Sequence, residues 1–106
     1  MNQRIVDHFN HSAQTALASG ESLADDILRA SEAMLDTLDN GGKLLLCGNG
    51  GSATDAMHFS AELLVRFQKE RKALPAVALV SDTATLTATG NDYAFDQIFS
   101  RQIEAL

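Results

Sequence analysis

The chain has 106 residues, 45% of them apolar and 21% charged, which fits one soluble globular domain toward the lower edge of the usual size range. Asp and Glu number 14 against 8 Lys and Arg, a formal net charge of −6 with no basic stripe to offset it, which argues against a nucleic-acid surface. Cys47 is the only cysteine, so no intrachain disulfide forms; with no signal-peptide core and no run of transmembrane length, a cytoplasmic protein is expected.

Residues 3–18 carry Ile5, Phe9, Ala13 and Ala16 at helical spacing, predicting a first amphipathic helix that ends near Ser19-Gly20. His8 and His11 share a face of it and, lacking carboxylates at ligand spacing, read as surface or subunit-interface residues. Ser22 followed by Asp25 resembles a capping box and opens a second predicted helix. Its stripe holds Leu23, Ile27, Met34 and Leu38, flanked by Ala24, Leu28, Ser31 and Leu35. Asn40-Gly41-Gly42 stops it, because glycine takes the left-handed conformation just past a helix without a steric penalty.

Lys43 to Cys47 is a short apolar run without alternation, as expected of a strand buried on both faces of a parallel sheet, with Cys47 a small buried hydrophobe. A third helix is predicted over 53–67, with Ala56, Phe59, Leu63 and Phe67 facing inward. Lys69 to Lys72 reads as a solvated loop. Leu74 to Val80 is a second buried strand, with Pro75 at its beginning, where a missing N–H does least harm. Strand, helix and strand in this order make a βαβ unit. A short helical turn is predicted within Asp82 to Thr89, a loop at Asn91-Asp92, and a last helix from Phe95. Two parallel strands leave both sheet edges and faces in want of partners. The chain is therefore expected to be the front of a larger α/β domain, with a helical segment at 1–40 and the start of the sheet at 43–106.

Gly48-Asn49-Gly50-Gly51-Ser52 joins the first strand to a helix. Such a turn directs free N–H groups toward an anion, and the helix dipole adds to the attraction. It has neither the Walker A nor the dinucleotide-binding spacing. Three glycines equally serve to let a helix pack close to a strand, and both readings hold together. Ser52 is the natural N-cap. His58 and Glu62 stand four residues apart and so share a helix face. The pair suits a solvated helix, or two donors to a divalent metal with Zn2+ the first candidate; a stable site needs further donors from another segment or subunit. Asn91 and Asp92 offer short hydrogen-bonding groups for sugar hydroxyls, or an Asx turn. An anion cradle beside an imidazole and a carboxylate outlines a site for a phosphorylated small molecule.

Several motifs in fixed order carry a resemblance along essentially the whole chain. Cys47-Gly48-Asn49-Gly50-Gly51-Ser52, Asp55-Ala56-Met57-His58-Phe59 with Glu62, Leu74-Pro75-Ala76-Val77-Ala78-Leu79, Thr89-Gly90-Asn91-Asp92-Tyr93 and Ile98-Phe99-Ser100-Arg101-Gln102 resemble bacterial phosphoheptose isomerases of the sugar-isomerase (SIS) fold. The resemblance implies the N-terminal part of a three-layer α/β parallel-sheet fold preceded by two helices. It implies interconversion of sedoheptulose 7-phosphate and D-glycero-D-manno-heptose 7-phosphate, an early step toward the heptose of lipopolysaccharide. Asn49, Gly50, Gly51, Ser52, Asn91 and Asp92 would contact the substrate; His58 and Glu62 would bind zinc, with Glu62 also the base that moves a proton through an enediol. A later Gln and His would complete the zinc site and the acid, so these 106 residues alone are expected to be inactive. The resemblance also implies a homotetramer built on the N-terminal helices; the same apolar stripes would otherwise complete a monomer's core. The fold has a non-catalytic relative too, the DnaA initiator-associating protein, which makes DnaA the partner under an alternative reading. A sugar-phosphate sensor without turnover is a third.

Overall fold

The computed structural model describes residues 1–106. They form two compact units, Met1–Asp36 and Thr37–Leu106.

The first unit is helical, and the helix is continuous. A single helix, α1, runs Asn2–Asp39 over 38 residues where two were expected. Gly20 costs an exposed helix interior about 1 kcal/mol, too little to break one flanked by Ala16, Leu17, Leu23 and Ala24. The Ser19 hydroxyl donates to the Thr15 carbonyl at 2.7 Å, satisfying itself without leaving the helix. Ser22 and Asp25 are thus interior residues rather than a cap. No residue of α1 is buried; Phe9 and Leu17 of its apolar stripe are 75% and 72% exposed, and Met34 and Leu38 are half-buried.

At its end, in the second unit, the helix stops as predicted. Gly41 adopts φ +77°, its N–H donates to the Leu38 carbonyl (3.1 Å), and the Gly42 N–H reaches back to Thr37 (2.8 Å). This is the Schellman arrangement, which satisfies carbonyls that the helix itself leaves without donors.

The second unit holds the βαβ core. Strands β1 (Leu44–Leu46) and β2 (Ala76–Ala78) pair in parallel, with Leu44 opposite Ala76 and Leu46 opposite Ala78. The Leu44 N–H donates to the Pro75 carbonyl at 3.0 Å, so Pro75 sits just before β2, where only its acceptor is needed. The crossover helix α2 (Gly51–Leu64) packs on both strands. Burial on both strand faces does not hold: β1 is half-buried, and Val77 is 38% exposed between buried Ala76 and half-buried Ala78. Cys47 is exposed rather than buried, because the chain has already left the sheet.

The inward ridge of α2 also differs from expectation. Ala56 and Ser60 are buried and Leu63 half-buried, whereas Phe59 is exposed. Small side chains at the contact let the helix lie close to the strands. Phe67 is exposed because α2 ends at Leu64 and does not reach it. Helix α3 (Thr83–Asp92) is longer than the predicted turn and is capped by Asp82, whose carboxylate accepts from the Thr85 N–H and hydroxyl at 3.2 and 2.7 Å. The last predicted helix is split into a 3-10 turn at Phe95–Gln97 and α4 at Ser100–Ala105. Gln102 ties α4 to the end of β2 by donating to the carbonyls of Leu79 (2.9 Å) and Ile98 (2.8 Å). The buried apolar set is small: Ala56, Ala76, Leu79 and Ile98.

Candidate active site

The strand-to-helix turn is tight for a local reason. A Cβ on Gly48 would fall 2.7 Å from the main-chain carbonyl of Ser52, so the turn closes only with glycine there. Gly50 takes φ +57° and caps α2 through its backbone, its carbonyl accepting from Ala53 (3.0 Å) and Thr54 (3.3 Å). Ser52 is therefore not the N-cap. It lies inside the first turn, its N–H donating to the Asn49 carbonyl at 3.0 Å, and no side chain caps the helix. Asn49, Gly50, Gly51 and Ser52 are all exposed, a short polar rim at the positive end of α2.

Farther along α2, His58 and Glu62 meet as their spacing predicts, Nε2 to Oε1 3.3 Å apart. The imidazole is largely exposed, while the Glu62 side chain is 37% exposed and leans into the protein. Asp55, His58, Phe59 and Glu62 line a shallow hollow of about 290 Å³. Asp55 stands in the sequence only as part of a motif and with no role assigned; its place three before His58 puts it on the same face, the periodicity being the signal for it. Glu62 also borders a second, more apolar groove of about 420 Å³ with Phe59, Leu63, Phe67, Arg71 and Leu74. Arg71, read from the sequence as part of a solvated loop, is half-buried and bonded to three main-chain carbonyls. Nothing in its local pattern set it apart from its cationic neighbours.

Asn91 and Asp92 are the last residues of α3 and not a loop, because the helix runs on past Thr89. Both are exposed, with Asn91 Nδ2 donating to Asp92 Oδ1 at 3.1 Å. Neither lines the hollows around Glu62.

A structural or catalytic zinc ion takes at least three protein ligands. Within these residues no set of three His, Cys, Asp or Glu side chains converges to hold a metal ion. The imidazole and carboxylate of His58 and Glu62 fit two corners of such a site and do not make a whole one. No helix is long and apolar enough to cross a membrane.

A glycine-bound turn between a parallel strand and its crossover helix, with acid and imidazole on that helix, is the layout of an α/β small-molecule site. Residues 8–106 match the SIS domain family, and the chain belongs to it. It is 57% identical over its whole length to a phosphoheptose isomerase of Shewanella loihica, and 51% identical to one of Thiobacillus denitrificans, covering 54% of each. Among solved structures, phosphoheptose isomerase from Neisseria gonorrhoeae superposes with a TM-score of 0.90 at 46% identity, over 99% of this chain and 54% of that one. The phosphoheptose isomerase from Francisella tularensis gives 0.92 at 46% identity, over 98% and 55%. The chain thus spans about half the length of these relatives. They lend no support to the alternative in which DnaA is the partner.

Proposed function

We propose that this chain is the N-terminal part of a phosphoheptose isomerase that interconverts sedoheptulose 7-phosphate and D-glycero-D-manno-heptose 7-phosphate. The observation that carries the reading is Glu62, a partly buried carboxylate 3.3 Å from His58 on the helix that the glycine-rich turn opens. Identity of 57% to a phosphoheptose isomerase across every residue of the chain adds to it.

The chemistry asks for a base beside a carbonyl. Glu62 takes the proton from C1 of the ketose while the C2 carbonyl oxygen gains one, giving an enediol; the proton returned to C2, with loss of the O1 proton, leaves the aldose. A positioned carboxylate contributes about 10²–10⁴-fold to such a transfer. Asn49, Gly50, Gly51 and Ser52 bind the sugar phosphate at the N-terminus of α2, and Asn91 and Asp92 bind its hydroxyls. His58 and Glu62 would supply two ligands to one zinc ion, with the remaining donors from another segment or another subunit. When bound, zinc polarises the substrate carbonyl. The exposed apolar stripe of α1 suits subunit contacts in a homotetramer. A sugar-phosphate enzyme of this kind works in the cytoplasm.

The test is turnover of sedoheptulose 7-phosphate by the complete protein and its Glu62→Gln variant. Zinc-stimulated activity that falls about a thousandfold in the variant supports the isomerase. Stabilisation by the sugar phosphate with no product in either protein identifies a sensor instead, since a ligand that binds only the folded state raises its stability.

A further inference from the structure

Helix α2 ends two residues beyond Glu62, and the last carbonyls of a helix lack donors of their own. Val65 N–H takes the Ala61 carbonyl at 2.9 Å, and Leu74 N–H takes that of Leu63 at 3.0 Å. The carbonyl of Glu62 itself is taken by a side chain from outside the helix. Arg71 Nη2 donates to it at 2.5 Å, while Nη1 donates to the carbonyls of Leu63 and Lys72, both at 2.9 Å. This guanidinium is half-buried and borders the same apolar groove as the Glu62 side chain. One planar group thus clamps the end of α2 to the segment that leads into β2. A lysine ammonium offers a point charge and no such fork.

We propose that Arg71 is a positioning residue for Glu62. By holding the Glu62 main chain, it fixes the last turn of α2 and the direction of the carboxylate that faces His58. The kinetic part of the inference rests on the isomerase reading. A merely stabilising cap would lower the folded population and leave turnover per folded molecule unchanged. A positioning residue lowers turnover itself, because small displacements of a reacting group are costly.

Arg71→Ala and Arg71→Lys are made in the complete protein, and kcat, KM and amide exchange are measured on the folded fraction. Both variants are expected to lose about ten- to hundredfold in kcat with KM little changed, lysine failing to rescue. Exchange at the Val65 amide is expected to rise about tenfold in Arg71→Ala. If that variant does not fold, Arg71→Lys carries the kinetic test. Wild-type kcat in folded Arg71→Lys, or a loss confined to KM, overturns the proposal. Absence of turnover in the unsubstituted protein defeats the isomerase reading instead. The exchange result then decides the clamp: unchanged protection at Val65 overturns it, and faster exchange upholds it.

Discussion

Gly48 and Glu62 mark the two demands placed on individual residues here: one must leave space and the other must fill it with charge. Because a Cβ at position 48 meets backbone 2.7 Å away, Gly48→Ala forces the turn or the first turn of α2 to move. The expected cost is about 1–3 kcal/mol in denaturant-derived stability. A Gly48→Ala protein as stable as the parent would show that the turn is looser than its geometry. The His58–Glu62 contact was legible from spacing alone, since residues four apart on a helix are neighbours whatever surrounds them. Arg71 was not legible, because its role depends on where the segment after α2 folds back, a long-range fact with no local pattern. Cys47 was misread for a related reason: an apolar run does not announce on which residue the sheet pairing ends.

Among the elements, α1 and α3 each carry a testable cause. Gly20 is an unforced glycine in the middle of α1, with open space where its Cβ would be. Gly20→Ala is therefore expected to raise stability by about 0.5–1 kcal/mol, seen as increased helicity and a later urea midpoint. A loss of stability would argue for a break in α1 at this position. Asp82 caps α3, and the Thr85 hydroxyl first, then the Thr85 N–H, hold its carboxyl below the ordinary 3.8. A lowered folded pKa means the cap stabilises fully above pH 3.8, and that this stabilisation is lost as pH falls through the lower folded value. Protection of the Thr85 amide should follow that loss on acidification, and Asp82→Ala should abolish the pH dependence. An unchanged acid profile in Asp82→Ala would assign the titration elsewhere. The order of β1, α2 and β2 could be read from the sequence because apolar runs and helical periodicity differ in kind. Their limits could not: Phe67 continues the helical pattern although the helix has ended, and Asn91-Asp92 has loop composition inside a helix.

At the scale of the whole molecule, the sheet is the unfinished part. The buried apolar core is only Ala56, Ala76, Leu79 and Ile98, of which Ala76 alone lies in a strand, and both outer edges of the two-stranded sheet lack a neighbouring strand. Open edges invite pairing with other chains. The 106-residue chain by itself is expected to melt broadly or to associate as concentration rises; a sharp, concentration-independent melt of a monomer would contradict this. The α/β class was legible in the order strand, helix, strand, whereas the SIS-type fold was legible only through the resemblance carried by the ordered motifs; the two-faced burial read from the apolar runs was not met. The role proposed for Glu62 is to move a proton between adjacent carbons of a heptose phosphate. Its most direct test is deuterium incorporation from D2O at C1 of sedoheptulose 7-phosphate and C2 of the aldose product, followed by NMR with the complete protein and Glu62→Gln. Label is expected at these carbons with the parent protein and none with the variant. Product formed without solvent label and at equal rate in both proteins would contradict it.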